Sequence, residues 1–317
     1  MLIDALGLRK YLHLDGSTQP APYLRTFGFD AAIVSDCGRY EVLYTRLGTK
    51  GVLFKDGRVV REINRSFYFA DRFEYPVAFV RLPGEPLLLA HCPNEYNELE
   101  LEHAESGVRL TTRTAPSQDA FHSRLLCSPG GGFLLSAGWF WHPVDGLTVF
   151  DVQQGIQRST PLDECTVLHI GYTGMDVQSA TFLDHQHIVV STGKDLGDGP
   201  FDEETLPYTL GLMPLSLGVF NLATRKLVSL VSVQEQAGTL HAFGRYVLSL
   251  YDHPKLIDRA TGEVTLRWPE LRTGTQTSSI LNPEDLPPPV AVDAERQRFA
   301  VADAHQVTVI CLSNAAD

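Results

Sequence analysis

The stretch that decides the fold runs Ser123-Arg-Leu-Leu-Cys-Ser-Pro-Gly-Gly-Gly-Phe-Leu-Leu-Ser-Ala137 and closes with Leu147-Thr-Val-Phe-Asp-Val-Gln-Gln-Gly155. It reads as a strand, a tight Pro-Gly turn, a second strand, a loop and a third strand. Degenerate copies of this pattern return with a period of roughly 50 residues, the size of one unit in a solenoid or a propeller. The pattern therefore predicts an array of short antiparallel sheets.

Six turns set the register of the copies. Each turn separates two runs of apolar, β-branched or aromatic residues. They are Asp36-Cys37-Gly38, Pro83-Gly84, Pro129-Gly130, Asp184-His185, Phe243-Gly244 and Ala294-Glu295. We predict from them an all-β fold, a six-bladed β-propeller with four-stranded antiparallel blades.

The whole chain, 1–317, is expected to form one propeller domain, because no linker divides it. The predicted blades cover roughly 31–70, 75–115, 120–160, 177–235, 238–272, and 289–317 plus 1–29. The last copy lacks a fourth strand. An N-terminal strand, either Lys10–Leu14 or Tyr23–Phe27, is expected to close the ring and remove the open edge. Seven blades would result if Met1–Phe29 supplied more than one outer strand.

Two motifs resemble those of the WD40 and YVTN-like propeller superfamily. Ser128-Pro129-Gly130-Gly131 is similar to its Ser-Pro-Asp-Gly turn. Thr148-Val-Phe-Asp151 and Lys255-Leu-Ile-Asp-Arg-Ala-Thr-Gly262 are similar to its third strand and the turn that follows. The chain has no Gly-His and no Trp-Asp dipeptide, so the structural hydrogen-bond set of WD40 blades is not expected. The resemblance implies a radial array of four-stranded blades and nothing catalytic.

Composition restricts the classes of partner. Hydrophobic residues make up 44% of the chain and charged residues 20%, as in ordinary soluble proteins. The net charge of −12 argues against nucleic acid, which needs a basic face, and is compatible with a basic protein partner. No signal peptide or membrane span is visible, and the five cysteines are scattered. We therefore expect a cytoplasmic protein that does not associate with membranes.

The loops after each second strand should gather around the mouth of the central channel, where propellers usually carry their function. The most distinctive of them is Trp139-Phe140-Trp141-His142-Pro143. Two exposed tryptophans there would form a binding hot spot, whereas packing against the next blade would make them structural. The residues expected to bind a partner are Tyr96, Trp139, Trp141, His142, Asp195, Asp198, Asp202, Tyr251 and His253.

Three of these residues belong to the largest insertion, Lys194–Leu210, which is acidic. Gly197 and Gly199 occupy positions that an Asp-x-Asp-x-Asp-Gly calcium loop reserves for ligands, so a calcium site is not predicted. Two interpretations remain for the insertion. It is either an acidic lid that contacts a partner or a solvated loop.

Histidine recurs at nearly equivalent loop positions in four blades, at His91, His142, His253 and His305. One interpretation is a ring of imidazoles that binds a metal, with Asp252, Asp303 or Glu95 as further ligands or bases. The protein would then be a metal-dependent hydrolase or lactonase-like enzyme. The other interpretation is that a histidine before a proline caps the end of a strand.

Searches for catalytic signatures return nothing: the chain has no Gly-x-Ser-x-Gly elbow, no His-Glu-x-x-His and no phosphate-binding loop. The sequence therefore favours a non-enzymatic binding module, with no catalytic residues and no cofactor. It would recognise a protein or peptide through the loops at the channel mouth. The metal-dependent hydrolase is the alternative.

Overall fold

The computed structural model describes residues 2–3, 9–13, 15–20, 28–113, 117, 119–140, 144–171, 175–196 and 211–312. Within them the chain folds as an all-β, six-bladed β-propeller of small antiparallel sheets, as the repeat predicts. In the same residues, no helix is long and apolar enough to cross a membrane.

The strands are numbered along the chain. The N-terminal strands, which form a sheet of their own, are β1 (Leu2–Ile3), β2 (Arg9–Leu12) and β3 (Thr18–Pro20). Blade 1 contains β4 (Ala31–Val34), β5 (Tyr40–Tyr44), β6 (Lys50–Lys55) and β7 (Arg58–Asn64). Blade 2 contains β8 (Val77–Val80), β9 (Leu88–His91) and β10 (Glu100–His103). Blade 3 contains β11 (Ala120–Phe121), β12 (Leu126–Cys127), β13 (Phe133–Phe140), β14 (Val144–Asp151) and β15 (Thr166–Ile170).

The second half of the chain repeats the arrangement. Blade 4 contains β16 (Met175–Phe182), β17 (His187–Leu196), β18 (Ser216–Asn221) and β19 (Lys226–Ser232). Blade 5 contains β20 (Leu240–Phe243), β21 (Tyr246–Ser249), β22 (Lys255–Asp258) and β23 (Val264–Arg267). Blade 6 contains β24 (Val290–Asp293), β25 (Arg298–Ala302) and β26 (Val307–Cys311). All six predicted turns join the first and second main strands of a blade.

Blades 2 and 6 have three strands each within the described residues, where four were predicted. For blade 6 the predicted fourth strand is the N-terminal one. In blade 2 the outer ladder stops early. Glu102 makes a single bridge to Arg109, and the Thr111 hydroxyl then takes the place of a main-chain acceptor for the Leu101 amide at 3.3 Å. A side chain that satisfies the neighbouring strand in this way ends the ladder.

Closure of the ring by an N-terminal strand stays a prediction. Strand β2 pairs with β1 and β3, and no described pairing joins any of these strands to β26. The other segment proposed for closure, Tyr23–Phe27, lies outside the described residues.

Apolar layers between neighbouring blades form the core. Leu135 and Val149 of blade 3, for example, pack with Ala180 and Ile188 of blade 4. Comparable layers join blades 1 and 2, 2 and 3, 4 and 5, and 5 and 6. Each sheet therefore buries its faces against its neighbours, which is how a long chain without a linker is stabilised as one array.

One helix was not predicted. Helix α1 (Val152–Arg158) follows β14, and the Asp151 side chain accepts a hydrogen bond from the Gln154 amide at 2.8 Å. An aspartate at this position satisfies an amide that would otherwise lack a partner at the start of a helix. Val152 and Ile156 then pack onto the layer between blades 2 and 3.

Candidate functional site

The two ends of the disc carry different loops. In every blade the turn between the first and second main strands lies at one end, here called the turn face. The pairings Val77↔His91 and Leu240↔Ser249 place the end of a second strand beside the start of the first. The loops after second strands and the connections between blades therefore share the opposite end, here called the connection face. Of the predicted site residues that the structure describes, Tyr96, Tyr251 and His253 follow second strands at this face, and Trp139 lies near the end of β13 that reaches it.

A long connection crosses the connection face. The crossing segment, residues 269–289, joins blade 5 to blade 6, yet its middle contacts the far side of the ring. Ile280 forms a β-bridge with Phe73, and the Leu281 amide donates to the Arg72 carbonyl at 2.7 Å. Because Phe73 and Arg72 belong to the connection between blades 1 and 2, the segment spans the middle of the face.

Asp145, at the start of β14, holds the centre of the crossing segment in place. Its Oδ1 accepts hydrogen bonds from the amide of Ser279 at 2.7 Å and from the hydroxyl of the same residue at 2.5 Å. Both residues are buried. A cleft of about 180 Å³ lies along the segment and is lined by both polar and apolar residues, among them Gln276, Asn282 and Leu281. It is smaller than the usual pocket for a drug-sized ligand.

Replacing Asp145 by alanine is expected to release the crossing segment. The substitution leaves a buried amide and a buried hydroxyl without an acceptor, which costs about 2–3 kcal/mol of unfolding free energy. Hydrogen exchange should show the Ser279 amide exchanging at least about tenfold faster. The control is Glu284→Ala, an exposed carboxylate of the same segment. If the Ser279 amide is equally protected from exchange in Asp145→Ala and in wild type, Asp145 does not hold the crossing segment in place.

Beside the crossing segment, aromatic rings form a column that runs from the core to the surface. The aromatic column consists of Trp139, Phe121, Tyr96 and Tyr68. Trp139 stacks on Phe121 with ring centroids 3.8 Å apart, and Phe121 stacks on Tyr96 at 4.3 Å. Tyr68 lies 4.8 Å from Tyr96 and completes the column at its outer end. Stacked rings of this kind hold one another in a single arrangement.

The structure corrects the prediction for Trp139. Its side chain is only 3% exposed, so it offers a partner almost no surface. The cause is strand β11, which pairs Ala120 and Phe121 with the end of β13 and so brings Phe121 onto the indole. Gly138 permits this approach, because a Cβ there would lie 1.8 Å from the Phe121 carbonyl oxygen. Trp139 is therefore the buried foot of the aromatic column.

The outer end of the column is a turn that the sequence analysis did not select. The aromatic turn consists of Phe67, Tyr68 and Phe69, in the connection between blades 1 and 2. Phe67 is 86% exposed, Tyr68 45% and Phe69 39%. Phe69 has a φ of 51°, a left-handed conformation that costs a non-glycine residue about 1–2 kcal/mol. Its ring nevertheless packs edge-on against Phe121 and Trp139.

Buried Arg65 fixes the base of the aromatic turn. Its guanidinium donates hydrogen bonds to the carbonyl oxygens of Gly48 at 2.7 Å, Ala70 at 2.7 Å and Phe73 at 2.9 Å. It also lies over the Phe73 ring, 4.5 Å from the centroid. Burial lowers the pKa of Arg65 to about 10, so the group keeps its charge at neutral pH. One side chain thus ties both ends of the connection together.

The aromatic turn lies between blades 1 and 2, so it is not among the loops after second strands from which the site was predicted. A usable signal was present. Phe67-Tyr68-Phe69 places three aromatic residues in succession, and an alternating strand can bury only every second one.

The remaining predicted partner-binding residues fall into two groups. Tyr96 belongs to the aromatic column, and its hydroxyl donates to Asp119 Oδ1 at 2.5 Å. Tyr251 is half-buried, with the Lys255 ammonium 5.6 Å from its ring centroid. His253 is described below with the other histidines. The side chains of the remaining five lie outside the described part of the chain; they are Trp141, His142, Asp195, Asp198 and Asp202.

The described histidines of the proposed ring serve separate local structures. His91 is buried, with Nε2 2.7 Å from Glu102 Oε1, and the same carboxylate also pairs with Arg61 of blade 1. Burial alone would raise the pKa of Glu102, but the hydrogen bonds from His91 and Arg61 outweigh it and lower that pKa. This cluster ties blade 1 to blade 2.

The other two described histidines also have local partners. His253 Nδ1 lies 3.0 Å from Asp252 Oδ2, and its hydrogen bond, with help from Arg272, lowers the pKa of Asp252. His305 is exposed in a turn in which its amide donates to Asp303 Oδ1 at 2.7 Å. In the described part of the chain, no group of three or more His, Cys, Asp or Glu side chains could hold a metal ion. His142 lies outside that part.

Buried His122, next to Phe121, makes the fold sensitive to acid. Its Nδ1 lies 3.0 Å from the Ser136 hydroxyl, and burial lowers its pKa to about 4. The unfolded chain takes up a proton near pH 6.5 while the folded chain does not, so stability is lost as the pH falls from about 6.5 towards 4.

From this pKa difference we expect His122 to contribute about 2 kcal/mol of the stability that the protein loses between pH 7 and pH 5. Urea unfolding of wild type and His122→Gln at both pH values measures the contribution. The variant should lose about 2 kcal/mol less than wild type over this interval. Identical losses in both proteins would show that this histidine is protonated in the folded state as readily as in the unfolded state.

Comparison with known proteins supports the fold and goes no further. No protein-family model and no curated protein matches the chain. Among solved structures, 781 chains match. One is the crystal structure of the computationally designed Ika8 protein, with a TM-score of 0.53 and 11% identity over 97% of this chain and 79% of that chain. A likeness at this identity establishes a six-bladed propeller fold that resembles a designed propeller, and no family.

Proposed function

We propose that this propeller is a non-enzymatic binding module that recognises a protein or peptide partner through its connection face. The observation that carries the proposal is the aromatic turn, Phe67–Phe69, standing exposed at the end of a packed aromatic column. Aromatic side chains that are rigid before binding supply a large contact area at a small entropic cost.

The position of these rings supports a functional role. Other large exposed apolar side chains of the described chain are aliphatic residues or a methionine, such as Val59, Leu266 and Val309 on outer strands. Scattered single residues of that kind are normal on protein surfaces, whereas a contiguous exposed cluster usually marks an interaction site.

Backbone strain occurs within the aromatic turn itself. Positive φ values are found at non-glycine residues on both faces, for example at Asp56 and Gln297 in turns of the turn face, and Phe69 is the aromatic residue among them. Strained conformations persist only where the surrounding structure imposes them, and they concentrate at functional sites. The strain at Phe69 keeps an apolar ring at the surface that a relaxed turn could bury.

The proposal also includes further residues of the binding face, a superfamily and a cellular location. We include Trp141, His142 and the acidic insertion in the binding face because strands β13 and β17, which lead into them, end at Phe140 and Leu196 on that side of the disc. Membership of the WD40 and YVTN-like superfamily and a cytoplasmic location also remain proposals. The superfamily assignment is supported by the Ser128 hydroxyl, which accepts from the Phe133 amide at 2.9 Å across the Pro-Gly turn.

Affinity purification with the full chain tests the proposal. We expect wild type to retain a partner in stoichiometric amount and the double variant Phe67→Ser/Tyr68→Ser to lose it. Tyr246→Ser is the matched control, because Tyr246 is a half-buried aromatic residue beside a turn of the turn face. Retention of the partner by the double variant, or the absence of any partner from wild type, would count against the proposed function.

A further inference from the structure

We infer that the aromatic turn binds an extended, basic segment of the partner, with an arginine side chain seated on the exposed Tyr68 and Phe67 rings. The inference rests on the proposed function and deepens it by naming the chemistry of the partner.

The first observation is the charge around the rings. Three carboxylates stand close to the aromatic column: Asp71, two residues after Phe69; Glu95, next to Tyr96; and Asp119, which accepts from the Tyr96 hydroxyl. Asp71 and Glu95 are exposed. The rim of the aromatic turn therefore carries negative charge, in keeping with the net charge of −12 for the whole chain.

Nearby cations cancel only part of this charge. Arg72 forms an ion pair with Asp71 at 3.5 Å, and Arg109 donates a hydrogen bond to the Asn94 side chain at 3.0 Å. The Glu95 carboxylate has no ion-pair partner among the described residues. Exposed charges of one sign beside a binding surface attract the opposite charge and raise the association rate.

The second observation is the chemistry of the rings. The faces of tyrosine and phenylalanine rings are electron-rich and attract cations, arginine more often than lysine. Arginine also stacks its flat guanidinium on a ring while its hydrogens reach neighbouring carboxylates. The protein already uses this contact internally, since the Arg65 guanidinium lies 5.0 Å from the Tyr75 ring centroid. An exposed ring with carboxylates beside it offers the same contact to a partner.

Nucleobases also stack on aromatic rings, but the phosphates that accompany them would face the carboxylates of the rim. The charge distribution therefore favours a basic protein segment over a nucleic acid. Binding of an oligonucleotide to the same rings is kept as an outcome that overturns the inference.

The test uses purified full-length protein and fluorescein-labelled heptapeptides in which leucine alternates with arginine, lysine, glutamine or glutamate, together with a labelled oligothymidine. Fluorescence anisotropy measures each affinity. We expect the arginine peptide to bind most tightly, the lysine peptide next, and the glutamine and glutamate peptides at least about tenfold more weakly. Affinity for the arginine peptide should fall as salt is raised.

Single variants separate the contributions of ring and charge. Tyr68→Leu keeps an apolar side chain but removes the ring, and should lower the affinity for the arginine peptide about fivefold. Tyr68→Phe should retain most of the affinity. Glu95→Gln should weaken binding about threefold, while Glu85→Gln, an exposed glutamate of the same blade on the turn face, should not.

The outcomes distinguish this inference from the proposed function. Suppose that a partner is purified as described above but the arginine peptide does not bind, or binds no better than the glutamine peptide. The inference of a basic segment is then wrong, whereas the proposed binding function is unaffected. Preferential binding of oligothymidine, or full affinity in Tyr68→Leu, likewise overturns the inference. If no partner is purified and the arginine peptide does not bind, both the proposed function and this inference are wrong.

Discussion

Replacing Phe67 and Tyr68 together by serine is expected to weaken partner binding at least about 100-fold, since central aromatic residues of an interface often contribute a factor of about 30 each. Both side chains expose much of their surface in the unbound protein. The loss should therefore appear mainly in affinity, while removal of the Tyr68 ring contacts should lower the unfolding free energy by about 1 kcal/mol. Isothermal titration with the purified partner measures the effect, and thermal unfolding checks that the fold is retained.

Tyr246→Ser on the turn face serves as the control and should bind as wild type does. Loss of affinity in both variants would point to a general effect on the propeller. Wild-type affinity in the double serine variant would mean that the aromatic turn does not contact the partner.

Replacing Arg65 by methionine is expected to lower the unfolding free energy by about 3–5 kcal/mol, because several buried carbonyl groups lose their donor at once. These carbonyls belong to the loop of blade 1 and to the connection that follows it. The melting temperature should fall by about 10 °C. Arg65→Lys should recover only part of the loss, since a lysine cannot spread its donors over a flat fork.

The control for this variant is Arg58→Met, in which an exposed arginine of the preceding strand, β7, is removed. Its effect should stay within about 0.5 kcal/mol. If Arg65→Met and Arg58→Met have equal stability, the guanidinium does not hold the connection together, and the rigidity ascribed to the aromatic turn loses its basis.

The sequence predicted the architecture well because the signals of a propeller are local. Turns such as Pro83-Gly84 and Phe243-Gly244 are recognised from two residues, and each lies where the first and second main strands of its blade meet. The errors occur where a side chain decides the outcome. Thr111 ends the ladder of blade 2, and Asp151 starts a helix in place of a turn. Neither event changes the alternation of apolar residues that the prediction reads.

The site was predicted less well, because its geometry depends on contacts between distant parts of the chain. Tryptophan is a common residue in binding sites. Trp139 is buried here because β11 pairs with β13 and places Phe121 against the indole. His91 resembles a metal ligand until Glu102 and Arg61 are brought beside it. The sequence does predict which loops share the connection face, since the order of strands in a blade fixes which loops lie at the same end.

Photo-crosslinking tests the central claim, binding through the connection face, most directly. A benzophenone amino acid placed at Phe67 should form one covalent adduct with the partner inside cells. The same group placed at Glu85, on the turn face of the neighbouring blade, should form none. Adducts from Glu85 alone, or equal adducts from both positions, would contradict binding through the aromatic turn.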